Sequence, residues 1–202
     1  MLVPVSVLSV LSCSNCIACF ALSLAFCQTG KRMDRVTPSE LQPPDSHHLN
    51  AAVGWIELGN LTEARAELAR IPASSRNHPD VLETEWRVSA AEKDWASALD
   101  TARVLVETDP DNPSGWIHQS YCLHELKRTQ EALDLLRPVV EKFSSISTIP
   151  YNLACYACQL GDLKEARRWL GKAIKIRGKN DIKQMALTDA DLQPMWEEIK
   201  AL

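Results

Sequence analysis

At 202 residues, with 46% hydrophobic and 24% charged side chains, the chain has the composition of one well-packed globular domain with at most an appendage. Its net charge of −4 supplies no broad positive field, which argues against nucleic acid as a partner. From residue 45 onward Ala, Leu, Glu, Arg and Lys dominate and β-branched residues are sparse, the palette of helix formers.

Residues 1–30 contain no Asp, Glu, Lys or Arg, and the rest of the chain carries every charge. Leu2 to Cys27 is long enough to span a bilayer as a helix, for which about 20 apolar residues suffice. It departs from a secretory signal because the first basic residue, Lys31, follows the apolar run, and because Pro4, Ser6, Ser9, Ser12 and Ser14 interrupt it. Three readings stay open: a membrane anchor, which Lys31, Arg32 and Arg35 would orient with the rest of the chain in the cytoplasm; a signal cleaved near Ser23-Leu24-Ala25, with Val10-Leu11-Ser12-Cys13 faintly like a lipobox; or a leader upstream of a true start at Met33. Cys13, Cys16 and Cys19 are spaced like iron–sulfur ligands, but a fourth is missing and the surroundings are apolar, so they read as small hydrophobes. Residues 31–44, with Pro38, Pro43 and Pro44, read as a flexible leader.

A fixed period then begins. Ala64, Ala98, Ala132 and Ala166 are equally spaced, each preceded by a turn (Gly59-Asn60, Lys93-Asp94, Lys127-Arg128, Gly161-Asp162) and followed four residues on by Leu68, Ala102, Leu136 or Leu170. Two helices, A and B, flank each turn; the Ala lets helix B approach helix A closely, and apolar stripes at three- and four-residue steps are what each helix buries. Glycine suits a positive φ at a helix end, so Lys93 and Lys127 in that place should cost some stability.

This period of about 34 residues, with its turn and Ala-x3-apolar pattern, resembles the tetratricopeptide repeat (TPR), over about residues 45–180. The resemblance implies an all-α fold, a right-handed α-solenoid of antiparallel helix pairs with a C-terminal capping helix. One departure is Trp86, where the other repeats place Ala52, Ser120 and Ala154 in the middle of helix A. Residues 181–202 read as the cap: Asp189-Ala-Asp191 can start a helix with Pro194 in its first turn, and Met195, Trp196, Ile199 and Leu202 sit at helical spacing to cover the last repeat.

By the same resemblance, the A helices line a concave groove. The groove positions are Ser46, Leu49, Val53 and Ile56; Asp80, Glu83, Arg87 and Ala90; Ser114, Ile117, Tyr121 and His124; and Thr148, Tyr151, Cys155 and Cys158. Leu49, Val53, Ile56, Glu83, Arg87, Ile117, Tyr121, His124, Tyr151 and Cys155 are the candidate partner-binding residues. Leu49 and Val53 stand where chaperone-tail clamps carry Lys and Asn, so an amphipathic helix or extended segment is the expected guest, with Tyr121, Tyr151 and Arg87 as anchors. The alternative is that these faces pack on the leader or on a second copy of the chain.

Cys155 and Cys158 share a helix face, and His124 lies one repeat before Cys158, so a zinc or redox reading arises. A fourth ligand is missing and the thiols sit mid-helix, so buried structural cysteines are expected, with no metal and no cofactor. Lys172, Lys175, Arg177, Lys179 and Lys183 cluster at a helix C-terminus, where they complement its dipole. No phosphate loop, H-E-x-x-H or G-x-S-x-G occurs, so no enzyme and no small-molecule substrate are expected. The expectation is a cytoplasmic adaptor or co-chaperone-like scaffold for a protein or peptide; a membrane-tethered assembly factor of the cell envelope is the alternative if residues 1–30 are genuine, and homo-oligomerisation stays open.

Overall fold

The structure, a computed structural model, describes residues 40–202. The anchor, signal, start-site and cysteine-series readings of the N-terminus lie outside the described residues. Among the described residues there are ten α-helices and no strand, and no helix is long and apolar enough to cross a membrane.

The helices come in four pairs. The A helices are α1 (Asp45–Glu57), α3 (Pro79–Ala91), α5 (Pro113–Glu125) and α7 (Thr148–Gln159); the B helices are α2 (Leu61–Arg70), α4 (Trp95–Thr108), α6 (Thr129–Leu136) and α8 (Leu163–Arg177). After Gly178 come α9 (Lys179–Ala186), a 3₁₀ segment (Ala190–Met195) and α10 (Trp196–Ala201).

Each A–B turn is built the same way. Gly59, Lys93, Lys127 and Gly161 have φ of +75°, +60°, +64° and +84°. The next residue's N–H reaches five residues back, from Asn60, Asp94, Arg128 and Asp162 to the carbonyls of Trp55, Ser89, Leu123 and Ala157, each at 2.9 Å. That bond satisfies a carbonyl at the helix end and requires the left-handed residue between. Asn60, Asp94 and Asp162 then cap the B helix, accepting from the N–H of Glu63, Ser97 and Glu165. Arg128 cannot accept and instead pairs with Glu131.

Packing between the members of a pair rests on the small residues. Ala64, Ala98, Ala132 and Ala166 are completely buried, as are Ala102 and Leu136, with Leu68 and Leu170 nearly so. Gly115 serves the next junction: a Cβ there would stand 3.0 Å from the Val106 nitrogen, so α5 approaches the backbone of α4. The third B helix is cut short. Pro138 follows α6 in a 3₁₀ turn (Arg137–Val139), where its missing N–H and ring end the α-helical ladder. Val139, Val140 and Phe143 still bury themselves along the irregular return, and α7 begins at Thr148.

Two apolar clusters result. One joins α1 and α2 to Val81 and Val88 of α3; the other runs from Trp86 to Ile199 and includes the cap. Trp86 is accommodated by compensation across the helix interface. Its indole stacks on His118 (3.5 Å between centroids, 12° between planes) and its N–H points to Cys122 Sγ at 3.3 Å. One repeat later the sizes reverse: Ser120 lies 3.2 Å from the hydroxyl of Tyr156. A large residue facing a small one alternates with a small one facing a large one, so both junctions fill.

Candidate functional site

The A-helix face changes character along the solenoid. At the N-terminal end Ser46, Val53, Ile56, Glu83 and Arg87 are half-buried and Asp80 is exposed, with Leu49 and Ala90 buried beneath them. Ser114 begins the third repeat half-buried, and Ile117, Tyr121 and His124 after it are buried. In the fourth, Thr148 is half-buried and Tyr151, Cys155 and Cys158 are buried.

At His124 and in the fourth repeat the C-terminal cap covers this face. Leu192, Met195 and Ile199 enter the core, Trp196 is half-buried, and Leu202 stays exposed. The cap does more than cover the last repeat. Asp189 accepts on Oδ1 from the N–H of Asp191 at 3.0 Å, which starts the 3₁₀ segment, and turns Oδ2 toward α7. There the Tyr151 hydroxyl donates to Oδ2 at 2.9 Å, and Cys155 Sγ lies 3.6 Å from it. Asp191 Oδ2 is 3.1 Å from His124 Nε2 on α5, and the Gln159 side-chain amide donates to the Asp191 carbonyl at 2.9 Å. Trp196 ties the segment back with an indole N–H 2.9 Å from the Ala186 carbonyl. The segment thus packs on α7 and meets α5 at His124, through residues among the predicted groove positions.

Electrostatics at this end follow from desolvation. Burial, and then the Asp191 charge, raise the Asp189 carboxyl above its ordinary value. Burial, and then Asp191 and Asp189, push the Cys158 thiol up as well. His124 Nδ1 is 3.0 Å from Thr129 Oγ1, and its ring is tilted against Tyr156 at 5.0 Å.

A second polar constellation lies between repeats two and three. His118 is completely buried, with Nε2 2.8 Å from Glu83 Oε1 and its ring under Trp86. Burial alone would raise the Glu83 carboxyl, but the His118 charge and hydrogen bonds from His118 and Ser114 hold it below the usual range. Glu83 therefore braces two A helices, while Arg87, one turn on, stays half-buried. Cys122 is pushed up to about 12, first by burial, and so remains a thiol.

The repeat resemblance assigns Tyr121, Tyr151 and His124 to groove positions. It could not show that Tyr151 and His124 would be engaged by Asp189 and Asp191, whose carboxylates come from beyond the last repeat. Tyr121 meets Trp95 edge-on at 5.5 Å. The basic cluster is largely paired: Lys172 with Glu141, Arg177 with Asp181, and Lys183 with the Lys200 carbonyl.

No family model and no curated protein matches the chain. Solved structures do. MamA is similar over 78% of this chain and 86% of its own, with a TM-score of 0.61 and 13% identity. A thermophilic TPR protein from Thermus thermophilus is similar over 78% of this chain and all of its own, with a TM-score of 0.58 and 16% identity. YrrB, described as a TPR protein with an unusual peptide-binding site, is similar over 77% and 91%, with a TM-score of 0.56 and 15% identity. At such identities the likeness is one of fold.

Proposed function

We propose that this chain, a tetratricopeptide-repeat solenoid by its fold, is an interaction scaffold that holds a helical or extended segment of a partner protein in the open part of its concave face. The guest's place is lined by Val53 and Ile56 of α1, Glu83 and Arg87 of α3, and Ser114 of α5. The single observation that carries this reading is the chain's own cap. At the C-terminal end, the A-helix face already holds a short irregular segment, using side-chain hydrogen bonds from His124, Tyr151 and Gln159. The same face at the N-terminal end offers partly accessible apolar and charged side chains, with Arg87 as a directional anchor. Catalysis is no part of this reading: the Glu83–His118 pair braces two helices, and burial pushes the Cys122 and Cys158 thiols up.

A photo-cross-linking residue placed at Val53, Ile56 or Arg87 in the native host tests this, with Arg103, exposed on helix α4, as the control position. Adducts to a common partner from the three groove positions and none from Arg103 are expected. Adducts that form equally from Arg103, or a captured partner that cross-links from none of the three, would place the interface elsewhere.

A further inference from the structure

The closed end of the groove brings a thiol and two carboxylates together. Cys155 Sγ, a carboxylate oxygen of Asp189 and one of Asp191 all lie within 4.8 Å of one another. His124 Nε2 stands behind this trio, 3.1 Å from Asp191 Oδ2, and orients that carboxylate. Tetrahedral zinc, with bonds of about 2.3 Å to sulfur and about 2.1 Å to oxygen, holds a sulfur and an oxygen about 3.6 Å apart and two oxygens about 3.4 Å apart. The Cys155 Sγ to Asp189 Oδ2 separation is 3.6 Å. We propose that Cys155, Asp189 and Asp191, with a water in the fourth position, form a zinc-class cation site that clasps the cap to α7.

The surroundings hold the ligands in place. Tyr151 donates to Asp189 Oδ2, the Asp191 N–H fixes Asp189 Oδ1, and Thr129 Oγ1 engages His124 Nδ1, which leaves Nε2 turned toward Asp191. Such outer partners orient metal ligands. The donor set selects the ion: a thiolate favours zinc, whereas calcium and magnesium prefer all-oxygen shells. Two carboxylates and a thiol brought together by burial repel once ionised, and a divalent cation turns that repulsion into attraction. Binding displaces the Cys155 proton to solvent while the ion takes the thiolate lone pair, with no change of oxidation state. Asp189 and Asp191 are only half-buried, so the ion has a path from the solvent side.

The test uses the full-length chain without an affinity tag, with Cys13, Cys16, Cys19 and Cys27 changed to Ser so that thiols outside the described residues do not bind. After chelator treatment it is titrated with Zn²⁺, and separately with Co²⁺ as a spectroscopic probe. About one ion per chain, a near-ultraviolet cobalt–thiolate band and a rise in Tm on adding Zn²⁺ are expected. Cys155→Ser should abolish the band, and Asp189→Asn and Asp191→Asn should each weaken binding at least tenfold while far-ultraviolet circular dichroism stays helical. Cys158→Ser should change little. If Cys155→Ser does not fold, the two Asn variants decide. Absence of stoichiometric binding overturns the site, as does binding undiminished in the Asn variants or lost equally in Cys158→Ser.

Discussion

Leu192→Ala probes the cap most directly. Leu192 is completely buried in a six-residue 3₁₀ segment that has little helical stability of its own, so its side chain is what seats the segment. Truncating a buried Leu to Ala costs about 2–5 kcal/mol, the spread reflecting how far the site can collapse. Here collapse is limited, because Tyr151, Gln159 and Trp196 fix the segment through hydrogen bonds on both sides. A loss of about 3 kcal/mol follows, equivalent to a fall in Tm of about 6–12 °C for a chain of this size. In a solenoid each unit leans only on its neighbours, so the loss should fall first on the fourth repeat and cap. Urea unfolding followed by far-ultraviolet circular dichroism, alongside hydrogen exchange of the Leu192 N–H and the α7 amides, measures it. A loss below about 1 kcal/mol with exchange unchanged in α7 would refute the packing of the cap against that helix.

Three further outcomes are expected. Gly54 and Gly171 lie in helices where an added methyl would meet nothing within 4 Å, so Gly→Ala at either should stabilise by about 0.5–1 kcal/mol; Gly115→Ala, aimed at the Val106 backbone, should destabilise by about 1–2 kcal/mol despite its better helix propensity, and chemical denaturation compares all three. Lys93→Gly and Lys127→Gly should each stabilise by about 0.5–1 kcal/mol by relieving left-handed strain, which differential scanning calorimetry reads as a higher Tm. Glu83, depressed when folded, contributes stability that is fully present above the ordinary glutamate pKa and is lost as pH falls through its lowered value. The urea midpoint should therefore drop on acidification through and below the glutamate range, and Glu83→Gln should flatten that part of the profile.

How far the molecule was legible differs between its parts for physical reasons. The helix pairs depend on local chemistry: a small residue at each close approach, Asn or Asp at a helix start, and a left-handed residue at each turn. These recur once per repeat, so Ala64, Ala98, Ala132 and Ala166, and the four turns, announce the solenoid without coordinates. Trp86 broke the pattern, and only its stacking on His118 and the small Cys122 opposite explain how the interface absorbs it. Pro138 ends α6 early, a local effect visible in the sequence to anyone who weighs the missing N–H.

The A-helix positions followed from counting, but whether each is open to a guest did not. Asp189 and Cys155 stand one repeat length apart, yet Asp189 belongs to no repeat, and no spacing rule pairs a cap carboxylate with a thiol one helix away. The period and the pairing of helices were readable from the residues, because they rest on neighbours within a helical turn and on the equivalent place in the next repeat. That the cap packs on α7 and reaches His124 of α5 came from the folded arrangement and from nothing local. It depends on Leu192, Met195 and Ile199 finding apolar surface that exists only once the repeats have stacked.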